Sequence, residues 1–149
     1  LAVKLCHKAG ENKEINLNFG SKIMKQSGGP IHKKVFVKKI KKNVYQKFGS
    51  SLVPMGDSAC ITFDGIEVVL NSNRCQTFST DLFSKLGINI SKKNIIIVKS
   101  TNHFYKSFKP YVSEIIYASI DGIYPNNPKK NKYFKLKRKI WPIYSDPHL

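Results

Sequence analysis

Asp64-Gly65 constrains the fold more than any other pair of residues in the chain. It stands between Cys60-Ile61-Thr62-Phe63 and Ile66-Glu67-Val68-Val69-Leu70, two runs rich in β-branched and aromatic residues. A two-residue hairpin turn needs positive φ at its central positions, which Asp and Gly tolerate. The pattern therefore predicts a β-hairpin over residues 60–70.

Other elements follow from periodicity. Ile15, Leu17 and Phe19 alternate with Asn16 and Asn18 and predict a half-buried strand ended by Gly20. Gln26 to Pro30 reads as a loop, Val35 to Ile40 as a strand with a mixed outer face, and Gly49 to Asp57 as a second loop. Ser79-Thr80-Asp81 predicts a helix start with a capping hydroxyl, and Gly87 a left-handed stop, giving a helix over about 80–86. The apolar run Ile95-Ile96-Ile97-Val98 predicts a strand buried on both faces. Phe104 and Phe108 are spaced as on one helix face, with Pro110 pushing Lys109 out of the helical region. Ile115 to Ile120 predicts the last strand, and Asp121-Gly122 with Tyr124 to Pro128 turns the chain out. The expected fold is α+β and β-rich: a β-hairpin followed by a β-α-β-α-β layer, as one domain over residues 1–149. Within it, residues 129–149 are a Lys-rich stretch and a docked aromatic tail around Trp141-Pro142-Ile143-Tyr144.

At 149 residues the chain is long enough to bury a core without disulfide or metal staples. Hydrophobic residues at 41% exclude a disordered chain, and no run of 18 apolar residues exists to span a membrane. The compositional outlier is a net charge of +17, from 26 basic and 9 acidic residues. Such charge attracts phosphates, which makes a nucleic-acid-binding module the alternative reading. Lys supplies 24 of those basic residues and Arg only two, Arg74 and Arg138, whereas Arg is the residue suited to bidentate phosphate and base contacts. Lys, Asn and Ile all have AT-rich codons, so base bias alone produces this profile. Nucleic acid is accordingly the lesser expectation.

Cys6, Cys60 and Cys75 show no paired metal-ligand spacing and read as reduced thiols of a cytoplasmic protein. No HExxH, HxxxH, GxGxxG or phosphate-loop pattern occurs. Cys75, His103 and Asp121 have the identities of a thiol nucleophile, a base and an orienter, but nothing local gathers them. The most suggestive segment is Lys99-Ser100-Thr101-Asn102-His103-Phe104, expected between a strand end and a helix start. Open sheets place ligands at that edge, and the same hydroxyls and amide serve equally as an ordinary N-cap.

The chain also resembles a known family. The residues that carry the likeness are Met55-Gly56-Asp57-Ser58-Ala59 before the hairpin and Val68 through Thr77 after it. Phe83 through Leu86-Gly87-Ile88-Asn89, Ile97 through Phe104 and Ile140-Trp141-Pro142-Ile143-Tyr144 extend it. Upstream, Ala9-Gly10, Leu17 through Lys22 and Gly29-Pro30 look like the family's entry strands. The most specific pieces are Lys-Ser-x-x-His-Phe at 99–104 and Arg-x-Gln-x-Phe at 74–78. Together they resemble the C-terminal domain of the MlrC (microcystinase C-like) family of zinc metallopeptidases. Departures are Ser58 where Thr is usual, no proline beside Asp121-Gly122, and the Lys-rich stretch before Ile140.

The resemblance implies an accessory C-terminal domain of a peptide hydrolase, with no catalytic residue and no metal ligand of its own. Zinc is expected in a preceding N-terminal metal-binding domain, and the first residue, Leu1, suits a piece of a longer polypeptide. Lys99, Ser100, Asn102 and His103 are the expected substrate-cleft residues, supported by Arg74 and Gln76. The expected partners are that N-terminal domain, a small peptide substrate and a second copy in a homodimer, with no membrane. A domain of this kind is also expected to expose an apolar patch near Lys99 to Phe104.

Overall fold

A computed structural model of the chain describes residues 1–21, 28–100, 102–118, 127, 129 and 132–146. The predicted hairpin forms between β3 (Ser51–Phe63) and β4 (Ile66–Asn71), which pair from Ser58↔Asn71 to Phe63↔Ile66. Asp64 and Gly65 adopt φ of 47° and 76°, the left-handed pair such a turn demands. β1 (Lys13–Phe19) and β2 (Ile31–Phe48) extend the hairpin into an antiparallel meander in the order β1-β2-β3-β4.

β2 and β3 run further than expected. The loop predicted over 49–57 shrinks to Gly49-Ser50, and Leu52 through Asp57 belong to β3. Pro54 and Gly56 read as loop residues, yet irregularities in the ladder accommodate them. One β2 step from Val44 to Tyr45 spans two residues of β3, Gly56 and Pro54. That bulge turns Met55 to the same face as Cys60, which strict alternation forbids for residues five apart.

The two sheet faces bury separate clusters. The first holds Leu17 and Phe19 of β1, Val35 and Val37 of β2, and Ala59 and Ile61 of β3. A helix that the sequence reading missed, α1 (Ala2–Ala9), closes this cluster with Cys6, and His7 Nε2 donates to the Ser58 carbonyl at 3.1 Å. The second cluster packs Val44, Met55 and Cys60 against Leu82, Leu86, Ile88 and Ile90. Leu82 comes from α2 (Asp81–Lys85), which ends as predicted, with Gly87 at φ 74° and Ile88 N–H bonded to the Phe83 carbonyl. The hydroxyl at its start is that of Ser79, which accepts from Asp81 N at 3.3 Å.

Beyond α2 the expected layer gives way. Residues 95–98 and 115–118 form no strand, so the β-α-β-α-β order is absent from the described residues, while the β-rich class holds. α3 (Tyr105–Phe108) places Phe104 and Phe108 inside, their rings 6.1 Å apart, and a 3-10 turn over Lys109–Tyr111 follows. Lys109 stays helical (φ −48°, ψ −40°), because a tight turn with Pro110 at its start replaces the continued helix. In the tail, Ile140, Pro142 and Ile143 are half-buried and Trp141 is 73% exposed. Part of the 26–30 loop, the turn at Asp121-Gly122 and most of 124–128 lie outside the described residues.

Candidate functional site

The site is organised by a residue that motif reading passed over, Gln46. Its side chain is fully buried near the end of β2, on the face that carries Val44. The amide oxygen accepts from Phe78 N at 2.8 Å and Ser79 N at 3.3 Å, and Nε2 donates to the Gln76 carbonyl at 2.7 Å. A residue of β2 thus supplies the backbone partners that residues 76–79, which belong to no strand, do not find in a ladder. Further clamps act nearby. Lys47 N donates to Asp81 Oδ2 at 2.9 Å, Lys85 Nζ donates to the Tyr45 carbonyl, and Thr80 N donates to Ser107 Oγ at 3.2 Å. The only sequence signal for Gln46 was its position two residues from Val44, in step with the buried side of the strand.

The clamp presents Gln76 to the segment after Val98. Gln76 Oε1 lies 3.3 Å from Ser100 Oγ and 3.5 Å from His103 Nδ1. The His103 ring meets Phe48 and Phe78 edge-on, at centroid distances of 5.2 and 5.6 Å. Those two phenyl rings contact each other at 4.5 Å. An exposed imidazole is therefore oriented on two sides by aromatic edges and on a third by an amide. Of the expected cleft residues, Gln76, Ser100 and His103 come together. Asn102 contributes its carbonyl to Tyr105 N at 3.0 Å, and Lys99 and Arg74 are exposed. The N-cap of α3 is Phe104, without a side-chain bond, so Ser100 and Asn102 do not cap it. Thr101 and Asp121 lie outside the described residues.

Electrostatics concentrate elsewhere, on the far strand. Glu67 of β4 pairs with Lys38 and, at 2.6 Å, with Lys93. Burial pushes its carboxyl up, but the two ammonium groups outweigh burial and hold it below the usual range. Lys38 rises in turn through its bond to Glu67. The Cys60 thiol is pushed up to about 11, by burial first and by the Glu67 charge second. Lys33, Lys34 and Lys39 pair with Asp64, Glu14 and Glu11. Among the described residues no three His, Cys, Asp or Glu side chains are placed to hold a metal ion, and no helix is long and apolar enough to cross a membrane.

Comparison with known proteins gives this geometry a family. The model of the MlrC C-terminus matches residues 1–135. The chain belongs to this family. As an MlrC C-terminal domain it is 28% identical over 143 residues to Microcystinase C of Sphingomonas sp., a match that covers 96% of the chain and 27% of that protein. The MlrC fold also aligns with a crystal structure of a candidate metallopeptidase from Mesorhizobium sp. BNC1. The TM-score is 0.67 and the identity 19%, over 74% of the chain and 23% of the other. The domain spans about a quarter of the length of each relative.

Proposed function

We propose that the chain is the accessory C-terminal domain of an MlrC-like zinc metallopeptidase. It packs on a metal-bearing domain and contributes the Lys99 to His103 segment to the wall of the substrate cleft. The observation that carries this reading is the apolar surface leading into that segment. Ile95 and Ile97 are 80% and 87% exposed, immediately before Lys99. Ile116 and Tyr117 are exposed as well, with the Tyr117 ring 6.1 Å from that of Phe104. Large apolar side chains left exposed beside the proposed cleft segment, as Ile95 and Ile97 are, suit a surface that another polypeptide covers. The described residues do not fit a zinc site, so zinc belongs to the other domain in this reading and no step through it is derived from these residues.

The chemistry left to this chain is orientation. His103, held by Gln76, Phe48 and Phe78, offers an imidazole to a peptide N–H or carbonyl. Lys99 offers a positive charge to a substrate carboxylate. Ser100 is engaged with Gln76 and keeps the amide aimed at the imidazole. The free cysteines accord with a reducing, cytoplasmic setting.

The test is His103→Ala in the intact parent protein. Loss of one substrate hydrogen bond, about 1.4 kcal/mol, lowers peptide hydrolysis about tenfold. Melting stays near wild type because the ring is exposed. Unchanged turnover removes His103 from the cleft.

A further inference from the structure

Ile95-Ile96-Ile97-Val98 has the composition of a strand and, among the described residues, lacks the partner of one. Its side chains alternate as a strand's do: Ile96 packs against the second core cluster and Val98 is half-buried, while Ile95 and Ile97 face outward. Among the described residues its backbone makes no hydrogen bond to any other backbone group. Four β-branched residues with open amides and carbonyls form the edge to which another strand adds.

We infer that Ile95–Val98 is a docking strand, which adds by main-chain pairing to a sheet edge of the metal-bearing remainder of the parent polypeptide. The inference rests on the accessory-domain reading and names the contact through which it works. Relatives about four times the length of the match supply the polypeptide that carries such an edge. The strand leads directly into Lys99 and Ser100, so pairing here fixes the cleft residues against the partner's surface. Lys92 and Lys99 flank the strand, and a receiving edge with acidic side chains at its ends complements them. A second copy fits less well. Self-pairing in either direction brings the lysine-bearing ends of the two strands together, and like charges facing across a ladder are destabilising.

The experiment is hydrogen exchange read by mass spectrometry on residues 95–98, in the 149-residue chain alone and in the intact parent protein at two concentrations. One-sided pairing protects alternate amides. Exchange of those amides is expected to slow by more than about tenfold in the parent, equally at both concentrations. Ile97→Pro is expected to abolish the protection, while the isolated chain melts as before because that side chain is exposed and that amide is unbonded. Equally fast exchange in both proteins overturns the docking strand. It leaves the accessory role to be judged by His103→Ala. Protection that grows with concentration, or that is already present in the isolated chain, assigns the edge to a second copy and overturns the inference.

Discussion

Replacing Gln46 by Met is the sharpest probe of how the site is held. Met is close to Gln in length and volume, so the change removes the amide chemistry and little packing. Three bonds to backbone groups vanish: Nε2 to the Gln76 carbonyl at 2.7 Å, and Oε1 to Phe78 N at 2.8 Å and Ser79 N at 3.3 Å, while two contacts of Nε2 to the sulfurs of Met55 and Cys75 give way to apolar packing. A buried group left without its partner costs about 1–3 kcal/mol. The two short contacts are only part-buried and regain some water, and the third is long, so each is taken near the lower end. The sum is about 3 kcal/mol. For a chain of this size 1 kcal/mol corresponds to about 2–4 °C, so the midpoint falls by about 6–12 °C. Calorimetry measures the midpoint, and hydrogen exchange at Phe78 and Ser79 locates the loss. A fall of less than about 3 °C, with both amides still protected, refutes the idea that Gln46 holds residues 76–79.

Gly56→Ala drives a Cβ into Ser72 Oγ and to 2.8 Å from Asn73 Oδ1, at a φ of +71°. Gly49→Ala meets nothing within 4 Å at +61°, so in denaturant melts it shows only the left-handed cost of about 1–2 kcal/mol, and Gly56→Ala exceeds it by about 1 kcal/mol. Glu67 has a lowered pKa in the fold, so its stabilisation is present above its unfolded value near pH 4 and is lost as pH falls through the lower folded value. Glu67→Gln costs about 1–2 kcal/mol at pH 7, discounted because Lys38 and Lys93 are 39% and 37% exposed, and its unfolding free energy varies less between pH 5 and pH 2 than that of wild type. Thiol titration of the native protein at pH 8 labels half-buried Cys75 first, with Cys6 and Cys60 reacting only on unfolding, since burial raises the pKa of both.

How much of the fold the sequence reveals depends on where the signal resides. Asp64-Gly65 and Gly87 were legible because backbone conformation there admits few residue types. α1 was not, since Val3 and Cys6, one turn apart, are its only buried positions and eight residues give little periodicity. The length of β2 and β3 was hidden by bulges, which let Pro54 and Gly56 sit inside a strand. Ile95 to Val98 shows a different limit, because apolar composition demands burial without saying which polypeptide provides it. The Lys-Ser-x-x-His-Phe and Arg-x-Gln-x-Phe segments led to Gln76, Ser100 and His103, which meet in space. The buried amide that unites them belongs to neither motif and became visible only through its contacts.

In the proposed reading, this chain completes a peptidase whose metal lies in another segment. Metal analysis and a peptide-hydrolysis assay on the purified 149-residue chain test it most directly. Neither stoichiometric zinc nor hydrolysis is expected from the chain alone. One zinc ion per chain together with unaided peptide cleavage would contradict it.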